Sequence, residues 1–128
     1  MAERLRNWEP VPDLPHGGSR LAALRDDPGG LSIALEFDAR PGECLQLVFR
    51  SALAHRRSSF EVFIRMWRME IPHRLYVVEN SRWIEWLHDE SDGRYLSASL
   101  AHYVITTSRD FLEILASDAP EAEWVARS

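Results

Sequence analysis

Glu79-Asn80-Ser81-Arg82-Trp83-Ile84-Glu85-Trp86-Leu87 opens the stretch that decides the fold. It continues through His102-Tyr103-Val104-Ile105-Thr106-Thr107 and Phe111-Leu112-Glu113-Ile114-Leu115-Ala116 to Pro120-Glu121-Ala122-Glu123-Trp124. Asn80 or Ser81 is placed to cap a helix over Arg82–Glu90, because a short side-chain oxygen there can accept one of the first free backbone N–H groups. At helical spacing Trp83, Ile84, Trp86 and Leu87 share an arc of about 160°, with Glu85, Asp89 and His88 turned toward water. Asp92-Gly93 ends the segment. Tyr103–Thr107 and Phe111–Ala116 then read as two strands of a hairpin around Ser108-Arg109-Asp110.

Upstream, Leu31, Ile33, Leu35 and Phe37 alternate with polar or small residues, the period of a half-buried strand. Arg40-Pro41-Gly42 turns the chain, and Leu45, Leu47 and Phe49 alternate again, so Leu31–Asp38 and Cys44–Arg50 form a second hairpin. Ser58 with Glu61 has the capping-box spacing. Phe60, Phe63, Ile64 and Trp67 follow at the offsets of one helix face, which predicts a helix over Ser59–Glu70 closed by Pro72. Leu75–Val78 is a short β-prone run. Pro10, Pro12 and Pro15 keep the N-terminal arm, residues 1–18, extended. Ser19–Asp26 permits either a short helix or a short strand.

The expectation is therefore one α+β domain over residues 1–128. About five mostly antiparallel strands would carry two amphipathic helices on one face. Phe60, Phe63, Ile64, Trp67, Trp83, Ile84 and Leu87 would bury against Leu31, Ile33, Leu35, Phe37, Leu45, Leu47 and Phe49.

Composition narrows the function classes. The chain has 128 residues, 45% hydrophobic and 27% charged, enough for a core without staples. No apolar run reaches the roughly 20 residues that span a bilayer. The first ten residues hold no apolar signal core, and Cys44 is the single cysteine, so a cytoplasmic location is expected. Every basic residue other than histidine is arginine, and these arginines are scattered. With a net charge of −5, a nucleic-acid partner is disfavoured and a basic protein partner is favoured.

Catalytic signatures are absent from the linear sequence. His16, His55, His73, His88 and His102 lie far apart and form no zinc motif, so no metal and no cofactor are expected. No Gly-x-Ser-x-Gly occurs, and Cys44 has no neighbouring base. Gly17-Gly18 and Gly29-Gly30 lack phosphate-loop spacing. An enzyme or small-ligand module would need His102, Tyr103 or His55 to meet carboxylates such as Glu36 or Glu113 through the fold. The acidic exit of the second helix is the strongest candidate surface: Glu85, Asp89, Glu90 and Asp92, with Trp86 at its margin as an apolar anchor. Acid at a helix C-terminus opposes the macrodipole, so a use for it lies outside the helix itself. Trp8 and Trp124 read as staples pinning the chain ends.

Short motifs spread along the chain resemble immunity proteins of polymorphic and contact-dependent bacterial toxin systems. They are Trp8-Glu9-Pro10 with Leu14-Pro15, Gly30-Leu31, Val78-Glu79-Asn80-Ser81, Trp86-Leu87, Ser91 with Gly93, His102-Tyr103, and Pro120-Glu121 with Glu123-Trp124. The resemblance implies a non-catalytic protein that neutralises a cognate toxin by direct contact, and it carries no catalytic residues with it.

Overall fold

In the computed structural model, residues 2–59, 74–95 and 99–127 are described. Among them the chain forms nine strands and one helix. In order these are β1 (Arg4–Asn7), β2 (Ser19–Asp27), β3 (Gly30–Phe37), β4 (Glu43–Phe49), β5 (Ala52–Ser59), β6 (Leu75–Glu79), α1 (Arg82–Glu90), β7 (Ala101–Thr106), β8 (Asp110–Ala116) and β9 (Glu121–Ala126). One sheet has the order β1-β6-β7-β8-β5 and the other β2-β3-β4-β9. All pairings are antiparallel.

The α+β expectation of about five strands under two helices is overturned. The apolar faces of β3 and β4 (Leu31, Ile33, Leu35, Phe37, Leu45, Leu47, Phe49) meet Leu75, Tyr103, Ile105, Leu112 and Ile114 of the other sheet. An alternating strand needs an apolar surface opposite it, and a sheet supplies that as well as a helix does. The helix α1 has the expected bounds but contains no buried residue. Trp83, Ile84 and Leu87 are only half-buried, and α1 lies over the far face of β7 instead of on β3 and β4. The helix expected over Ser59–Glu70, with Phe60, Phe63, Ile64 and Trp67, falls outside the described residues apart from Ser59, which closes β5. Ser58, expected to cap that helix, pairs with Phe111 as a strand residue.

Four strands lacked a readable pattern. β1 forms within the arm that was expected to be extended, for which no strand was assigned. β2 replaces the undecided helix or strand, and its alternation is broken by a register shift between Leu21 and Ala23. β5 reads Ala-Leu-Ala-His-Arg-Arg-Ser-Ser and β9 reads Glu-Ala-Glu-Trp-Val-Ala. Each of the four is a sheet edge, with few apolar positions to betray it. Trp8 packs at 4.8 Å from the Tyr103 ring. Trp124 meets Phe37 edge-on, lies under Arg40, and donates its indole N–H to Asp13 at 3.0 Å.

The central pair β7 and β8 is buried on both faces. Tyr103, Ile105, Leu112 and Ile114 point into the inter-sheet core, while His102, Val104, Phe111 and Glu113 point to the other side. The face away from the second sheet therefore holds polar groups without access to water.

Gly30 shows how tightly β3 meets β4. Its φ is +128°, and a Cβ there would lie 2.7 Å from the Phe49 carbonyl oxygen. Gly30→Ala is expected to cost about 1–3 kcal/mol through backbone strain and this clash. Urea denaturation checks it, and an unchanged midpoint would show that the strand entry tolerates a side chain.

Candidate functional site

The candidate site is built around α1. Asn80 takes a left-handed φ of 58°, which turns the chain out of β6. Ser81 is the N-cap, its Oγ accepting from the Ile84 N–H at 3.1 Å. At the far end Ser91 N–H donates to the Leu87 carbonyl at 2.9 Å, and Gly93, at φ 76°, donates to His88 at 2.9 Å. Capping at both ends is what allows nine residues to hold a helix without a buried stripe.

Beneath α1 runs a buried polar chain. Ser81 Oγ lies 2.7 Å from His102 Nδ1, and His102 Nε2 lies 2.9 Å from Glu113 Oε1. Arg56 donates Nε–H to Glu113 Oε2 at 2.6 Å and Nη2–H to Oε1 at 2.9 Å. Ser81, His102 and Glu113 are 5%, 2% and 3% exposed, so each must find its partner within the protein. Ser81 Oγ thus serves both the Ile84 N–H and His102 Nδ1, while the Nε2 of His102 faces the Glu113 carboxylate. Trp83 meets the His102 ring edge-on at 5.3 Å, and the Arg56 guanidinium stacks over Trp83 at 4.1 Å. The relay and this stack tie α1 to β7, β8 and β5.

Burial alone would raise the Glu113 carboxyl. The hydrogen bonds from His102 and Arg56, with the Arg56 charge, outweigh it and hold the group below its ordinary value of 4.5. The sign follows from linkage: a carboxylate depressed in the folded state stabilises it above the unfolded value and loses that contribution as pH falls through the folded one.

The four predicted carboxylates and Trp86 stand on the outer side. Glu85, Trp86, Asp89 and Glu90 are exposed along one side of α1, and Asp92 is exposed in the turn after it. Trp86 is 52% exposed, and with Leu53 it is one of two exposed large hydrophobic residues among those described. Among the described residues, none of the four carboxylates joins an ion pair or a side-chain hydrogen bond. Carboxylates elsewhere do: Glu36 meets Arg20 and Arg127, Glu43 meets Arg40, Glu121 meets Arg50, and Asp110 meets Arg57.

The residues weighed for an enzyme separate. Tyr103 neighbours His102 in β7 and so points to the opposite face, into the inter-sheet core. His55 meets Asp26 at 3.3 Å and not Glu36. Only His102 and Glu113 come together. That diagonal contact was open to reading from the hairpin, since His102 pairs with Leu115 two residues beyond Glu113. Arg56 was beyond sequence reasoning because β5 carries no strand signal.

Among the described residues no group of three His, Cys, Asp or Glu side chains could hold a metal ion, and no helix is long and apolar enough to cross a membrane. No family model, curated protein or solved structure matches this chain.

Glu113→Gln should lower stability at pH 7 by about 1–3 kcal/mol, because three hydrogen bonds, two from Arg56 and one from His102, lose their charged acceptor. The gap to the native chain should narrow as pH drops below 4.5 and through the lower folded value, at which the native carboxylate is itself neutralised. Urea titrations at neutral and strongly acidic pH measure both gaps, and equal gaps would refute the relay's charge state.

Proposed function

We propose that this chain is a non-catalytic cytosolic binding protein that neutralises a cognate toxin by protein–protein contact. The recognition face is the outer side of α1: Glu85, Trp86, Asp89, Glu90 and Asp92. The observation that carries this reading is the exposed Trp86 ring set among carboxylates with no counterion among the described residues. Tryptophan anchors interfaces through a large, stiff surface, while charges around it steer the encounter and set the pairing. An acidic face and a net charge of −5 suit a basic toxin domain, and the single cysteine fits a reducing compartment.

The face is also presented firmly. Trp86 sits one turn from Trp83's stack on Arg56 and two turns from the end fixed by Gly93. A partner therefore meets side chains on an ordered helix, with little ordering cost on this side of the interface. Binding should weaken with salt, as expected for steering by exposed charge.

Charge reversal tests the face directly. Glu85→Arg with Asp89→Arg should leave unfolding nearly unchanged, because exposed charges contribute little to stability. Affinity for a toxin domain encoded in the adjacent reading frame should fall at least tenfold, or about 1.4 kcal/mol, by calorimetry. Undiminished binding by the folded double variant would place the interface elsewhere.

The row Ser81–His102–Glu113 invites an acyl-transfer reading, since a nucleophile, a base and an orienting carboxylate occur in that order. Ser81 Oγ, however, is committed to capping α1, and all three groups are almost fully buried. A fluorophosphonate probe should therefore leave Ser81 unmodified in the folded chain. Stoichiometric labelling at Ser81 would establish the hydrolase reading in its place.

A further inference from the structure

We propose that the groove beside the N-terminal half of α1 binds a carboxylate carried next to an aromatic ring. The groove has a volume of about 400 Å³ and is lined by Glu3, Arg56, Arg82, Trp83 and Trp86. That is the size of a small-ligand cleft, and it combines aromatic walls with a few convergent polar groups. The inference shares Trp86 with the recognition face but does not rest on it, since its test uses no protein partner.

Each lining residue has a distinct part. Trp86, half exposed, offers an open ring face for stacking. Arg82 is exposed, and its guanidinium has no partner among the described residues. Arg56 is held in place by its fork on Glu113 and by Trp83, and its Nη1 takes no part in either Glu113 bond. A guanidinium fixed beforehand can accept a carboxylate without paying again for its own ordering.

Glu3 shows that the groove accommodates a carboxylate. It precedes β1, and its Oε2 accepts the Arg82 backbone N–H at 3.0 Å. This N–H belongs to the first turn of α1, where the helix dipole favours an anion. Glu3 is thus a self-ligand with no ring to offer Trp86. An incoming carboxylate attached to a ring gains that stacking contact and displaces it. The ligand is then the aromatic C-terminal residue of a peptide or a free aryl-alkyl acid.

Three probes separate the alternatives: N-acetyl-L-phenylalanine, its amide, and 3-phenylpropionate. Each is titrated into the isotopically labelled full chain while the indole N–H resonances of Trp83 and Trp86 are followed. Both acids should shift these resonances saturably, with the amide at least about tenfold weaker. Arg82→Gln and Trp86→Ala should each weaken binding about fivefold or more, and Glu3→Gln should strengthen it about threefold by removing the competing charge. Thermal unfolding confirms that the three variants fold, and Arg82→Gln carries the test alone if Trp86→Ala does not. Tighter binding of N-acetyl-L-phenylalanine supports the site and assigns it to peptide termini; equal binding of the two acids supports it and assigns it to free acids. No saturable shift, an amide as tight as the acids, or no gain from Glu3→Gln would overturn the proposal.

Discussion

The burial of β7 and β8 on both faces is the constraint from which the rest of the structure follows. A strand between two apolar surfaces must satisfy every polar side chain internally, and β7 and β8 carry His102 and Glu113 on the face turned away from the second sheet. An unpaired carboxylate there would be too costly to hold ionised. Arg56 from β5 and His102 from β7 flank Glu113 from either side, and Ser81 completes the series. The positions of β5 and α1 are thus tied to the needs of a single buried charge.

This arrangement changes what α1 is. An amphipathic helix ordinarily attaches to its domain by burying an apolar stripe. Here the stripe is half-buried, and attachment comes from Ser81 at the cap, from Trp83 against His102, and from the guanidinium of Arg56 on the Trp83 ring. Polar and aromatic contacts are directional, so they fix the orientation of the helix as well as its place. The opposite side, with Trp86 and the carboxylates, is exposed. A helix held by its end and one ring, with its acidic side free, is a platform more than a piece of core.

Sequence legibility followed burial. The strands with one clean apolar face, β3 and β4, and the hairpin β7–β8 were readable because each inward position repeats at a period of two. α1 was readable in its bounds, with its cap narrowed to Asn80 or Ser81, because the capping residues and Asp92-Gly93 are local signals. β1, β2, β5 and β9 were not, since edge strands bury few residues and carry charges such as Arg56, Arg57, Glu121 and Glu123. Missing those four removed the second layer from view, and helices were then invoked to cover Leu31–Phe37 and Glu43–Phe49. The candidate site divided in the same way. Glu85, Asp89, Glu90 and Asp92 lie on α1 and the turn after it, so their closeness was legible, whereas Trp86 sat at the margin of the apolar arc and its exposure was left open. The relay joins residues from four elements and needed the tertiary register.

The use of arginine ties these observations together. All fifteen basic side chains other than histidine are arginine. Across the edges and ends of the sheets their planar forks engage carboxylates: Arg50 with Glu121, Arg57 with Asp110, Arg40 with Asp13 and Glu43, Arg56 with Glu113. Such pairs are weak individually at the surface, yet they neutralise charge where edge strands would otherwise repel or attract neighbours. Against that matched background, α1 differs in leaving its outer carboxylates without an arginine among the described residues. Surface charge that the fold does not use is free to act between molecules, where its range is limited by salt and its effect is on encounter and pairing. A buried charge thus sets where α1 stands, and under the proposed reading the charges left unmatched among the described residues would set what α1 meets.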